Sequence, residues 1–275
     1  FNVTLMFVSG QTLYYTDSLS VTPQSLGTVA GDGPVSMVAN LEGKVFIASD
    51  TLGYIYNFNT STLTLETSLP PIGGPVDFID SYFVFPEYGT ASFYIYDGIT
   101  FDPLDFGVAQ AMPDHTVAIL ADHSELWIFC GLHAEVWQDT GNVDFPFERM
   151  PGGLIQQGCA AAFTPKRLDN SIYWLGRNEY GHGVIWRANG YPPIRASTPA
   201  VEFAIQGYDV ISDAFAMVYQ QEGHSFYALT FPTANATWVL DVSNGLWHER
   251  TSYDPSILWP AEWRPNCVTF FQGQL

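Results

Sequence analysis

Residues 224–250 read HSFYALTFPTANATWVLDVSNGLWHER, and the order of that stretch decides the fold. In its first run Phe226, Ala228 and Thr230 alternate with Tyr227, Leu229 and Phe231, so large groups point to both faces of an extended strand. A strand of that kind is stable where both faces are covered. Thr-Ala-Asn at 233–235 makes a turn, and a second run ends in Trp-Val-Leu-Asp at 238–241. Ser-Asn-Gly at 243–245 then supplies residues that tolerate positive φ and bond to the backbone through their side chains. Trp247 returns on a last short strand, where it is placed to cover a neighbour. The plan is two successive hairpins, as in a sheet blade packed between other blades.

The same unit recurs along the chain. Copies start near Val45 (VFIASDTLGYIYNFNTSTLTLE), Tyr82 (YFVFPEYGTASFYIYDGITFDPLDF), Leu126 (LWIFCGLHAEVWQDTGNVDFPFERM), Ile172 (IYWLGRNEYGHGVIWRANGYPPIRAS) and Phe226. These starts are 37 to 54 residues apart, close to the ~40 to 50 residues of a four-stranded propeller blade. VTLMFVSGQTLYYTDSLSVTPQSL, from Val3, reads as part of a further blade. The fold class expected is therefore all-β, a β-propeller of four-stranded antiparallel blades. The whole of 1–275 is expected to form one propeller domain of five to six blades, continuing beyond both ends of the sequence. One short helix is predicted between blades, with Thr198 as N-cap, Pro199 as first helical residue, and Val201, Ala204, Ile205 and Tyr208 on one face.

Composition limits the function. Charged residues make up 13 % of the chain and aromatics 16 %, with 24 Gly and 18 Pro, a mixture suited to many short strands and turns. The 28 acidic residues outnumber the 9 basic ones, for a formal charge of −19. That balance opposes tight binding to phosphate backbones, which depends on Lys and Arg displacing counterions. Cys130, Cys159 and Cys267 lack metal-ligand spacing and read as reduced, small apolar residues. The triplets at Asn2, Asn59 and Asn235 that fit the glycosylation pattern read as chance matches. No apolar run approaches the ~20 residues of a membrane-spanning helix.

A more specific likeness lies in the later part of the chain. FERMPGGLIQQGCAAAFTPKRLDNSIYWLGRNEYGHGVIWRANGY, then ISDAFAMVYQQEGHSFYALTFPTANATWVLDVSNGLWHER, then WRPNC, resemble the podovirus packaged-DNA stabilisation family, the tail-hub proteins of P22-like phages. Together these segments cover most of residues 147–267. The resemblance implies a propeller-based virion protein assembled as a hexameric ring in the tail nozzle, in the bacterial host cytoplasm. That ring would lie below the portal and adaptor and meet a tail needle and tailspike-type proteins. It would help close the DNA channel until ejection. DNA would pass through without being tightly bound, and no membrane, cofactor, metal or catalytic residue is implied.

Two other classes of function are weighed against this reading. Propellers host glycosidases and sialidases, which need two carboxyls ~5 to 9.5 Å apart, but no acidic pair stands out and the sialidase box has no match near Ser49. An arginine triad could be drawn from Arg149, Arg167, Arg177, Arg187, Arg195, Arg250 and Arg264, with no spacing that favours it. The pairs Asp114-His115, Asp122-His123 and His133-x-Glu135 invite a metal reading. A site needs three or four convergent ligands, so these histidines are expected to be hydrogen-bonded turn or surface residues, and His224 and His248 to have turn and packing roles. A monomeric binding module would use exposed aromatics to stack ligands, yet Trp127, Trp137, Trp174, Trp186, Trp238 and Trp247 fall at repeated blade positions and are expected in the core. No catalytic, cofactor or metal residue is therefore assigned. If subunits form a ring, the scarce cations Lys44, Arg149, Lys166, Arg167 and Arg264 are candidates for its seams.

Overall fold

A computed structural model describes residues 4–17, 22–142, 145–256 and 259–269. The fold is a six-bladed β-propeller with one short helix. The first sheet holds three strands, β1 (Thr4–Ser9), β2 (Thr12–Asp17) and β3 (Gln24–Thr28). Five four-stranded sheets follow. They are β4 (Ser36–Ala39), β5 (Lys44–Ser49), β6 (Leu52–Asn57) and β7 (Thr62–Leu65); β8 (Asp77–Ile79), β9 (Tyr82–Pro86), β10 (Ser92–Tyr96) and β11 (Phe106–Val108); then β12 (Thr116–Asp122), β13 (Glu125–Cys130), β14 (Ala134–Asp139) and β15 (Phe147–Ile155). The last two are β16 (Lys166–Leu168), β17 (Ser171–Arg177), β18 (Gly183–Ala188) and β19 (Pro193–Arg195), and β20 (Phe215–Gln221), β21 (His224–Phe231), β22 (Ala236–Asp241) and β23 (Leu246–Glu249). Each sheet keeps its strands in chain order. A two-stranded hairpin of β24 (Thr251–Asp254) and β25 (Trp259–Glu262) comes after the sixth blade.

The five repeat copies near Val45, Tyr82, Leu126, Ile172 and Phe226 mark the second strands of blades two to six, within two residues in every case. Their alternation works as the sequence requires. In β5, Val45 and Ile47 pack with Leu13 and Tyr54 against the first blade, while Phe46 and Ala48 pack with Phe83, Phe85 and Tyr96 of the third. In β21, Tyr227, Leu229 and Phe231 join Tyr173, Leu175 and Ile185 of the fifth blade. Ala228, on the opposite face, packs with Met217, Tyr219 and Val239, and Trp263 and Val268 lie over them.

Two turn chemistries set the blades. The turn after the third strand is braced by a side chain that accepts a backbone N–H two residues on. Asn57 Oδ1 does so for Asn59 at 2.9 Å, Asp97 for Ile99 at 2.7 Å, Asp139 for Gly141 at 2.6 Å and Asp241 for Ser243 at 3.0 Å. In blades three to six the hairpins between first and second strands use two residues that both have positive φ, as at Asp80-Ser81, His123-Ser124 and Asp169-Asn170. That is the type I′ pattern, whose twist matches the strands it joins.

The helix α1 (Pro199–Gln206) lies between the fifth and sixth blades, with Pro199 in its first turn. Val201 and Ile205 are buried and Tyr208 packs beside them. Thr198 occupies the N-cap with extended backbone but makes no side-chain cap bond. The preceding Ser197 ties the helix to β18 instead: its hydroxyl donates to Glu202 Oε1 at 2.7 Å and accepts the Ile185 N–H at 3.1 Å.

Contacts divide the chain into two compact units, residues 1–127, 137–148 and 270–275, and residues 128–136 and 149–269. In the first, innermost strands are stitched by side chains. Ser36 Oγ accepts the Val76 N–H at 3.0 Å, and Asp77 Oδ2 accepts the Ala121 N–H at 2.8 Å. In the second, Ala216 N–H donates to Phe163 O at 3.1 Å, and Tyr227 Oη donates to Thr164 O at 2.9 Å.

Candidate functional site

The histidines separate by environment. His115 and His123 lie exposed beside Asp114 and Asp122 at 3.4 and 2.8 Å, His123 in a turn and His115 in the segment before β12, surface positions as expected. His224 Nδ1 is 2.8 Å from Asp241 Oδ2, so this pair braces the turn that opens the last hairpin of the sixth blade. Partial desolvation would raise the Asp241 carboxyl, but the hydrogen bonds from His224 and Ser243 outweigh it and hold the group below the usual carboxylate range. Burial and the Arg250 charge keep His248 below its ordinary value.

His133 departs from the expectation of a turn or surface residue. It and Glu135 are fully buried, with Nε2 3.4 Å from Oε1, and Arg149 Nη1 stands 3.7 Å from the same oxygen. The two side chains do lie on one side, His133 just ahead of β14 and Glu135 within it. Among the described residues, however, no group of three or more His, Cys, Asp or Glu side chains is placed to hold a metal ion. The arrangement is a buried carboxylate with two basic neighbours, which orders the edge of the fourth blade.

The arginines do not converge. Arg177 Nη1 donates to Gly181 O at 3.1 Å, Arg264 Nη2 donates to Tyr253 O at 3.2 Å, and Arg195 Nε meets Glu202 at 3.3 Å. Arg187 lies 5.7 Å from the Tyr173 ring centre. Arg250 lies 4.7 Å from that of Trp263 and donates to Tyr219 Oη, clamping the last segment to the sixth blade. Lys44 is likewise committed within the fold and does not suit a seam. Its ammonium donates to Gly98 O at 2.9 Å, ties the second blade to the third, and is only 14 % exposed.

Carboxyls raised above their ordinary values are Glu66, Asp80, Asp105 and Glu262, each chiefly by partial burial. They fall after β7, in the β8–β9 turn, before β11 and in β25, four separate places. Trp127, Trp137 and Trp174 are buried. The half-buried Trp238 and Trp247 donate to Tyr208 Oη and Ala196 O, each at 2.9 Å, so Trp247 covers its neighbour as its position in the repeat implied. Cys130 and Cys159 are buried free thiols, and burial pushes Cys159 up to about 11. Cys267 is also a free thiol, and it is exposed. Of the glycosylation-like triplets, Asn59 and Asn235 are turn amides, and Asn235 Oδ1 accepts the Glu262 N–H at 2.8 Å. Asn2 lies outside the described residues.

What sequence reading by type did not show is where the charges lie. The first unit carries 17 of the 28 acidic residues and only one basic residue, Lys44, while the second carries 11 acidic and 8 basic residues. The signal was present in the order of the residues, since no basic residue other than Lys44 occurs before Arg149.

Comparisons with known proteins follow the fold. The chain superposes on a chain titled dihydro-heme d1 dehydrogenase NirN in complex with DHE, with a TM-score of 0.55 and 10 % identity over 89 % of its own length. It spans 52 % of that chain, about half. A chain of a mitotic checkpoint complex gives a TM-score of 0.52 and 12 % identity over 90 % of this chain and 72 % of that one. Identities this low show the propeller fold alone. No curated protein sequence matches the chain. A family model described as bacteriophage P22 Gp10, beta-propeller, matches residues 1–274. The chain belongs to that family of phage propeller proteins.

Proposed function

We propose that this protein is a ring subunit of a short phage tail, forming part of the nozzle through which DNA leaves and helping to retain packaged DNA until ejection. Membership of the P22 Gp10 propeller family across residues 1–274 carries the reading. The charge supports it: an acidic wall repels phosphates and lets a duplex slide without sticking. The side-chain chemistry supports it too. Arg177, Arg195, Arg250 and Arg264 are engaged in separate parts of the fold, and the raised carboxyls lie apart, which suits a scaffold better than a catalyst. Partners expected for such a subunit are further copies of itself in a hexamer, the portal and adaptor above, and the needle and tailspike-type proteins. The test is sedimentation of the purified chain with and without adaptor protein, beside virions assembled without the chain. A ring of several copies, and particles that lose their DNA when the chain is missing, are expected. A monomer under every condition, or particles that retain DNA without it, would remove the reading.

A further inference from the structure

The first blade differs from the other five at one edge. Its last strand β3 leads into β4 as β7 leads into β8, so β3 is the outermost strand and β1 holds the place of β5, β9, β13, β17 and β21. Those second strands are paired on both sides. β1 pairs with β2 along Thr4–Ser9, and no described strand lies on its other side. Burial follows the pairing: residues 45–49 of β5 and 83–86 of β9 are all buried, whereas no residue of β1 is. The sequence of β1, TLMFVS, is nonetheless that of a strand meant for a core. Met6 and Val8 pack toward Val45, Ile47 and Tyr54 of the second blade, and Phe7, on the opposite face, stacks on Tyr14 with ring centres 5.5 Å apart. An apolar strand with one bare edge presents backbone N–H and C=O groups that call for a partner strand.

Two observations lead from the far end of the chain to this edge. Val268 packs with Met217, Tyr219, Ala228 and Val239 of the sixth blade. Residues in the same relation to a preceding sheet are Val76, which clusters with Phe46, Ala48 and Ile55 directly before β8, and Ala214, which clusters with Tyr173 and Leu175 directly before β20. Each of these leads straight into the innermost strand of a following sheet. Residues 270–275, moreover, group with the first unit, although the chain just before them belongs to the second. We infer that residues 269–275, TFFQGQL, add to the bare edge of β1 as an antiparallel fourth strand. Seven residues suffice, since the innermost strands of the other blades have three to seven. Main-chain bonds supply the affinity of such an addition, and the adjacent Phe270 and Phe271, pointing to opposite faces, cover Leu5 and Phe7 on one side and Met6 and Val8 on the other. The residues ahead of β1 fit the place less well. Asn2 and Val3 precede β1 as Asp80-Ser81, His123-Ser124 and Asp169-Asn170 precede β9, β13 and β17, and a β-branched valine resists the positive φ of those turns.

The experiment is amide hydrogen exchange of the full chain, followed by mass spectrometry on peptides from β1, β5 and β17, beside two variants. One variant ends at Thr269, and the other is Phe271→Pro, which removes a ladder donor. In the natural chain β1 should exchange as slowly as β5. In both variants β1 should exchange roughly tenfold or more faster while β5 and β17 keep their protection. A synthetic peptide of residues 266–275, added in excess to the shortened chain, should restore slow exchange in β1. If neither variant folds, Phe271→benzoylphenylalanine keeps the aromatic bulk and, on illumination, should cross-link within the monomer to residues 4–9. Fast exchange of β1 in the natural chain overturns the inference, and so do cross-links that reach only other strands. Slow exchange that survives in both folded variants overturns it as well. Protection that then rises with protein concentration assigns the edge to a second copy, and protection independent of concentration assigns it to residues ahead of β1. None of these outcomes bears on the ring reading, which sedimentation tests separately.

Discussion

Phe46 shows at residue scale how this fold holds together. Its ring is fully buried and lies 5.4 to 6.1 Å from the ring centres of Phe83, Phe85 and Tyr96 on the next blade. Phe46→Ala would leave a cavity that a sheet bonded on both sides cannot collapse into, at a cost of about 3–5 kcal/mol. Chemical denaturation should show that loss as a lower midpoint with an unchanged slope. Asp241 gives a test by pH. Its carboxyl is held below the usual range in the folded state, so its contribution is present above the unfolded value and is lost as pH falls through the folded one. The difference in thermal midpoint between the natural chain and Asp241→Asn should therefore be largest near neutral pH and shrink below pH ~4. A difference that stays constant down to pH 3 would show that the carboxylate charge contributes nothing. Asp241 was legible as a turn residue from its place before Ser-Asn-Gly. Its partner His224, seventeen positions earlier, was not, because which residues oppose each other across a hairpin depends on register.

At the scale of elements, the blades were readable and their joints were not. Alternation such as Val45/Ile47 against Phe46/Ala48 announces a strand covered on both faces, and the aromatic-Asp turn fixes where it ends. The joints depend on groups without a pattern. A Cβ on Gly158 would lie 2.3 Å from Gly131 O, and one on Gly74 would lie 2.5 Å from Val117 O, so both glycines exist for close backbone approach. Asp77 is a joint of another kind, since its two oxygens accept the Phe78 and Ala121 N–H groups. Asp77→Ala strips the acceptor from a buried N–H and should destabilise the chain by about 1–3 kcal/mol. Asp77→Asn keeps an acceptor oxygen and should cost less. Equal losses in the two variants, measured by urea denaturation, would show that the Ala121 bond is not what this position supplies. The helix was legible from Thr-Pro followed by a 3.6-residue apolar period. The role of Ser197 was not, because it rests on a contact with Ile185, twelve residues away.

At the scale of the whole molecule the charge has two effects that salt separates. Copies carrying −19 each repel over distance, and that repulsion is screened beyond a Debye length of ~8 Å near physiological ionic strength. In a ring such as we propose, contacts between copies act at short range, where ions penetrate less. Raising salt from a low value removes the long-range repulsion first, so assembly should strengthen. Raising it further leaves apolar contacts in place, so assembly should level off rather than fall steeply. DNA should bind weakly throughout, because the few cations are outnumbered and several are tied to Glu202, Gly181 and Tyr253. Sedimentation equilibrium across a salt series, with a duplex-binding titration at each point, measures both effects. Assembly that weakens steadily from the lowest salt would mean that local attraction outweighs net repulsion at every distance. Tight duplex binding at physiological salt would mean that the acidic surface is not what the DNA meets.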